Sequence, residues 1–357
     1  MQAIFPSVLF YWQMRKHIDS QLGITVSEVE KKKVYTNCMR TAVAVLRGGP
    51  SSEYEVSLKT GAHVLESLAP EKYDARDVFI DRTGVWHLHG APSTPEQILQ
   101  GVDVIFNALH GEYGEDGKIQ RLLDRLAIPY TGSRTIPAAL TFHKQRTKEQ
   151  VQTLGIKMPH SIFVEPQEGN IETLALRIFR SFPHPAIIKP VIGGSSVGIT
   201  LADSFEALQD GLRRAAIISP TVMIEEFIKG REATVGVIDQ FRNERTYALM
   251  PVEIIPPPGH SFFDYEVKYN GESIERVPAN FSYEQKQELM RLARVIHEQL
   301  ELNQYSRSDF IISPRGIYFL EVNTLPGLTK ESLLPKALIA SGIRMSDFVD
   351  HLISLTR

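Results

Sequence analysis

Arg307, Asp309, Glu321 and Asn323 are side chains whose types and spacing could do chemistry. Two short apolar runs, Phe310–Ile312 and Ile317–Leu320, flank Ser313-Pro314-Arg315-Gly316, a pattern that predicts a β-hairpin with a four-residue turn. Arg307 and Asp309 then alternate onto one face of the first strand, and Glu321 and Asn323 onto one face of the second. In an antiparallel pair Asp309 and Glu321 should meet within one register step. Two carboxylates and an amide oxygen beside an arginine make a poor core. They make a good set of hard oxygen donors for Mg²⁺, which usually keeps nucleotide phosphates in its shell. A solvated hairpin face is the bland alternative. Thr324-Leu325-Pro326-Gly327 follows at once, a loop with backbone N–H groups able to bind an oxyanion.

A second constellation is Pro185-Ala186-Ile187-Ile188-Lys189, a buried-strand pattern ending in a lysine. An ammonium so placed expects an anion, since burying it unpaired is costly. The small, flexible run Val191–Gly198 comes next and could bring N–H groups against phosphate oxygens, although it fits neither common glycine-loop spacing. His110 opens the loop His110-Gly111-Glu112-Tyr113-Gly114-Glu115-Asp116-Gly117 at a strand end. A histidine there could equally be a structural hydrogen-bond partner. Glu55 sits near the start of a predicted helix, where a dipole-favoured acid and a receptor for a substrate ammonium are both open.

These motifs, in this order, resemble the D-alanine–D-alanine ligases of the ATP-grasp superfamily. The likeness runs from about Thr41 to the end, strongest in Glu321-Val-Asn-Thr-Leu-Pro-Gly-Leu-Thr-Lys-Glu-Ser-Leu-Leu-Pro335. It implies joining of two D-alanines with ATP through an acyl phosphate, for peptidoglycan precursors. Glu55 would receive the first D-alanine's ammonium, Ser195 would join a network with it, and His110 would lie at the D-alanine site. Lys144, Lys189 and Lys268 would approach phosphates, Glu225, Glu226, Phe227 and Ile228 would run beside adenine, and Glu232 would bind ribose. Asp309, Glu321 and Asn323 would hold Mg²⁺ or Mn²⁺, two ions in all. Arg307 and the Gly327 N–H would stabilise the oxyanion, and Ser332 with the Leu333 N–H would hold the second carboxylate. Tyr269 favours dipeptide over depsipeptide formation and, like Ser195, is a candidate for deprotonating the amine. Three departures from the family pattern stand out. They are Arg134 in place of a small residue, His143 in place of an acid, and Glu226 where many members carry lysine; a solvated charge on an edge strand is the other reading of Glu226. Rival functions are another ATP-grasp carboxylate–amine or D-alanine–D-lactate ligase, or an inactive nucleotide-binding module. A nicotinamide dehydrogenase would need G-x-G-x-x-G after the first strand, and Arg47-Gly-Gly-Pro-Ser-Ser52 does not supply it.

Positioning such residues calls for alternating strands and helices. Thr41–Leu46, Asp77–Ile80 and Val102–Leu109 read as buried strands, and Ile119, Leu122, Leu123 and Leu126 as one helical face. The expected fold is α/β, passing to α+β in the ATP-grasp part, with an N-terminal parallel doubly wound domain and three domains in all. Residues 41–133 would be the substrate domain, 134–228 the central ATP-grasp subdomain and 229–357 the C-terminal part. Ser282 and Gln285 form a capping-box pattern before a helix burying Leu289, Leu292, Ala293, Ile296 and Leu300, and an amphipathic helix is expected after Pro335. Residues 1–40 read as an extension rather than core, and not as a targeting element, because the apolar run Ala3–Trp12 is short and its positive charges follow it. A net charge of −3 over 357 residues gives no electrostatic case for nucleic acid. The single cysteine fits a reducing cytoplasm and excludes a disulfide framework. No membrane partner is expected, and the resemblance implies a homodimer.

Overall fold

The computed structural model describes residues 40–194, 197–257 and 274–356. Ser195, Lys268 and Tyr269 therefore lie outside the described residues, as does nearly all of the N-terminal extension. Three sheets follow one another along the chain.

The first contains β1 (Thr41–Gly48), β2 (Tyr73–Ile80), β3 (Trp86–Leu88), β4 (Ala91–Ser93) and β5 (Val104–Asn107), in the order β4-β3-β2-β1-β5. Its centre is parallel, β1 pairing β2 and β5. At the edge beyond β2 the sheet turns antiparallel, because β3 and β4 fold back as a hairpin on β2. Strand alternation explains why both faces are covered. Val43 and Val45 face one way, in the cluster with Val64 of the helix Tyr54–Ser67 and Leu68 at its C-cap. Ala44 and Leu46 face the other, with Ile119 and Leu123 of the helix Lys118–Arg125.

The second sheet is antiparallel, ordered β6-β9-β7-β8 from β6 (Ser161–Val164), β7 (Ala186–Pro190), β8 (Thr200–Ala202) and β9 (Val222–Glu226). Helices Ile171–Ser181 and Phe205–Ile218 contribute to its apolar core. β9 lies between β6 and β7, so Glu226 is not on the edge strand its charge suggested.

The third sheet runs β13-β12-β10-β14-β15, with β11 also pairing β10. Its members are β10 (Arg231–Phe241), β11 (Glu244–Ala248), β12 (Val252–Ile255), β13 (Ile274–Arg276), β14 (Tyr305–Ser313) and β15 (Gly316–Asn323). One face packs on the helix Tyr283–Gln299, which starts at the expected Ser282–Gln285 capping box and buries all five residues expected of it, counting Leu300 at its C-cap. The chain ends in two helices, Leu333–Ala340 and Met345–Ser354, rather than one beginning after Pro335. Pro335 falls in the first turn of the earlier helix, where its missing N–H breaks no bond. Among the described residues no helix is long and apolar enough to cross a membrane.

Candidate active site

The β14–β15 hairpin sets the site's geometry. Asp309 stands directly opposite Glu321, and Arg307 directly opposite Asn323, with a register shift between Asp309 and Phe310. The turn is tighter than the four-residue reading, since Ser313 already pairs Gly316. Buried Arg307 grips Asp309 with two bonds, Nε to Oδ1 at 3.0 Å and Nη2 to Oδ2 at 2.9 Å. Burial opposes the guanidinium's charge, but Asp309, with Glu321 and Glu115, more than offsets that and holds its pKa above the usual value. Thr234 on the adjacent β10 donates to Asp309 Oδ1 at 2.5 Å. With its amide oriented to satisfy both atoms, Asn323 donates to Glu115 Oε2 at 3.1 Å and accepts from Arg307 Nη2 at 3.0 Å.

Across a cavity of about 100 Å³ from this hairpin lies the four-stranded sheet. Lys189, Glu225, Glu226, Phe227, Ile228 and Glu232 line the same cavity as Arg307, Asp309 and Glu321. Lys189, at the inner end of β7, donates to Glu225 Oε2 at 2.5 Å, and Lys148 Nζ lies 2.5 Å from Glu225 Oε1. Burial works against the Glu225 charge, yet the two ammoniums hold its carboxyl below the usual range. Burial likewise opposes the charge of Lys189, and Glu225 with Glu321 keeps it above its ordinary value. Half-buried Lys144 lines a second cavity of about 40 Å³ that shares Glu321 with the first. Its ammonium donates to the Gly193 carbonyl at 2.6 Å, and desolvation pushes its pKa down despite the pull of Glu321. A polyphosphate beside Lys144 would favour its charged form.

Among the described residues no three His, Cys, Asp or Glu side chains cluster closely enough to hold a cation by themselves. The donor set nevertheless fits Mg²⁺, which typically takes one or two carboxylates and completes its octahedron with substrate phosphate and water. Asp309 and Glu321 are two such carboxylates on facing strand positions, and both line the cavity of Lys189.

The N-terminal sheet carries further candidates in its loops and first helix, of which Glu115 lines the smaller cavity. Here one expectation is corrected. Glu55 points outward, its exposed carboxylate 2.8 Å from Arg82 Nη2. The helix starts at Tyr54, so Glu53 occupies the N-cap and its side chain turns inward. A methyl group added at Gly194 would come within 2.6 Å of Glu53 Oε1, and one at Gly111 within 3.3 Å. Glu53 thus lies between the loops after β5 and β7, where the helix phase could never put Glu55. His110 is buried, its Nε2 2.9 Å from Thr60 Oγ1 and its Nδ1 4.0 Å from Glu115 Oε1. The same Thr60 hydroxyl accepts from the Leu328 N–H at 3.3 Å, and His63 Nδ1 lies 2.6 Å from the Leu328 carbonyl. A carbonyl only accepts, so Nδ1 of His63 carries the proton. These bonds hold the loop that carries Gly327 against the first helix.

Gly327 and Ser332 are neighbours. A Cβ at Gly327 would meet Ser332 Oγ at 2.8 Å, and that oxygen accepts from the Thr329 N–H at 3.1 Å. Leu333 opens the following helix and lines the larger cavity. Arg134 lies over the Tyr130 ring, 4.8 Å from its centroid, and His143 caps the helix Lys144–Gln152. Both departures from the family pattern therefore have local structural uses. Sequence reasoning missed Glu53, Lys148 and Glu115 as site residues. The i, i+4 spacing of Lys144 and Lys148 was the available signal for the lysine.

Family models for the D-ala D-ala ligase C-terminus and N-terminus match residues 150–354 and residues 42–100 and 89–133. A D-alanine–D-alanine ligase from Geotalea uraniireducens is 35% identical over 93% of this chain and 97% of its own length. One from Fusobacterium nucleatum is 38% identical over 86% of this chain and 96% of its own. The crystal structure of the VanG D-Ala:D-Ser ligase of Enterococcus faecalis superimposes with a TM-score of 0.76 at 30% identity, covering 89% of this chain and all of that one.

Proposed function

This chain belongs to the D-alanine–D-alanine ligase family, and from that premise we propose that it joins two D-alanines into D-alanyl-D-alanine for peptidoglycan precursors, consuming one ATP. A carboxylate is a poor acyl donor, so the first D-alanine attacks the γ-phosphorus and leaves ADP and an acyl phosphate. The second D-alanine's amine, once deprotonated, then adds to the acyl carbon, and the tetrahedral oxyanion collapses with expulsion of phosphate.

The residues divide this work. Glu53, in place of Glu55, receives the first ammonium, with His110 shaping the same end of the site. Lys144 and Lys189 face the phosphates, Glu225 to Ile228 and Glu232 line the nucleotide's base and ribose, and Lys148 completes the charge balance around Glu225. Mg²⁺ or Mn²⁺, in our proposal two ions held by Asp309, Glu321 and Asn323, supplies neutralisation of phosphate charge when bound. Arg307 and the Gly327 N–H stabilise the oxyanion. Ser332 and the Leu333 N–H hold the second carboxylate at an unsatisfied helix N-terminus. Ser195, Lys268 and Tyr269 keep the roles their resemblance implies. We place the enzyme in the cytoplasm as a homodimer, built from units 41–133, 134–228 and 229–357.

The facing of Asp309 and Glu321 across one strand pair, opening on the cavity that Lys189 also lines, carries this reading. The test is phosphate release from ATP and Mg²⁺ with D-alanine, alone and with D-serine or D-lactate, products identified by mass. D-Alanine-dependent release with the dipeptide as product is expected, and Glu321→Ala should lower kcat by at least about a hundredfold. Dominance of the mixed D-serine product would instead align the chain with its D-Ala:D-Ser neighbour.

A further inference from the structure

Ser332 is the N-cap of the helix Leu333–Ala340, yet it makes no side-chain cap bond. An N-cap serine ordinarily accepts from the N–H two or three residues on. Here the third is Pro335, which has no N–H, and Ser332 turns its hydroxyl back along the chain instead. Its Oγ accepts from the Thr329 N–H at 3.1 Å and lies 2.8 Å from Thr329 Oγ1. The Ser332 N–H closes the turn on the Thr329 carbonyl at 3.0 Å.

This turn is gripped by the helix Tyr54–Ser67. Thr60 and His63, one helical turn apart, take the N–H and the carbonyl of Leu328. Glu66, a further turn on, lies 3.2 Å from Lys330 at the surface, where a pair contributes little. His63 is the informative member. The peptide whose carbonyl takes the His63 proton is the same peptide whose N–H donates to Ser332 Oγ. A hydrogen bond at one end of a peptide polarises the other end. His63 therefore acts on Ser332 through a single peptide plane.

We propose that Thr329 and His63 are positioning residues for the second substrate: Thr329, its N–H fixed by His63, fills both lone pairs of Ser332 Oγ, so that the serine's proton points outward to a carboxylate. The proposal rests on the reading that Ser332 receives the second D-alanine's carboxylate. A hydroxyl has one proton and two lone pairs. The Thr329 N–H occupies one lone pair. Between the two hydroxyls either oxygen can give the proton, and an anion beside Ser332 decides which. A carboxylate only accepts and makes the stronger bond, so the serine donates to it and Thr329 donates to the serine. The chain of donors thus favours an anionic acceptor over a neutral one at that end of the substrate.

The test compares the full-length protein with Thr329→Val, Thr329→Ser, His63→Leu, His63→Asn, Ser332→Ala and the double variant Thr329→Val/Ser332→Ala. D-Alanine and D-alaninamide are supplied together with ATP and Mg²⁺. The amide can serve only as second substrate, having no carboxylate to phosphorylate, so the ratio of dipeptide to dipeptide amide by mass reads the choice at this end of the site. Thr329→Val, which keeps the shape and the N–H, should lower that ratio and raise KM for the second D-alanine about three- to tenfold, with KM for ATP nearly unchanged. His63→Leu should act in the same direction to a smaller degree. Thr329→Ser and His63→Asn keep the donors and should recover both quantities. Without Ser332, Thr329→Val should lower the ratio no further. A ratio within twofold of wild type in both Thr329→Val and His63→Leu would overturn the proposal even where KM rises, because a loosened turn weakens both acceptors alike. So would a Thr329→Val effect that persists undiminished in the double variant. Absence of both products from the wild type would overturn the ligase reading, whereas dipeptide in normal yield with unmoved ratios would strike this proposal alone.

Discussion

At the scale of single residues, the helix N-terminus beginning at Tyr54 separates two glutamates only two positions apart. Glu53 turns in at the N-cap toward Gly111 and Gly194, and Glu55 turns out to Arg82. A charge-assisted hydrogen bond is worth about 1.5–3 kcal/mol, or roughly 10- to 150-fold in kcat/KM. Glu53→Gln should therefore lower kcat/KM for D-alanine by that amount. Glu55→Gln should stay within about twofold, since an exposed pair contributes little. Equal losses in the two variants, from initial rates at fixed ATP, would return the role to Glu55.

Among elements, the informative contact joins the first helix to the loop after β15. Thr60 bridges His110 Nε2 and the Leu328 N–H, so one hydroxyl links the N-terminal sheet's loop to the loop carrying Gly327. Thr60→Val keeps the shape and removes both bonds. It should destabilise by about 1–3 kcal/mol, because two buried polar groups lose a partner. It should also raise KM for the second D-alanine more than for ATP. Urea unfolding with substrate-resolved kinetics checks this, and equal KM changes would mean a general loosening. Another polar cluster invites a catalytic reading and does not support it. Ser306, His297 and Asp239 form a Ser-His-Asp chain of 2.7 and 3.1 Å, but Ser306 and His297 are buried between helix and sheet, leaving no room for a substrate. The cluster ties the helix Tyr283–Gln299 to β10 and β14.

For the whole molecule, the N-terminal sheet and the C-terminal helices share a core. Val64 and Leu68 belong to one apolar cluster with Leu325, Leu328, Leu334, Phe348 and Leu352, while the four-stranded sheet and its two helices have a cluster of their own. Tyr73 and Lys72 both bond Asp350 of the last helix. Residues 41–133 expressed alone should accordingly expose the outer flank of their first helix, bind a hydrophobic dye and melt without a sharp transition. A cooperative melt of that fragment would show the cores to be separable.

What the sequence determined by itself was local. Period-two alternation and a short turn set which residues of the β14–β15 hairpin share a face, and neighbouring strands then admit one register that buries Phe310 and Phe319 while opposing Asp309 and Glu321. Glycine runs marked loops, and the Ser282–Gln285 spacing marked a helix start. Tertiary structure alone decided the inward turn of Glu53, the two ammoniums on Glu225, and the Arg315–Glu226 ion pair. Each joins elements far apart in the chain, and their directions are set by how packed layers dock rather than by any period along one strand or helix.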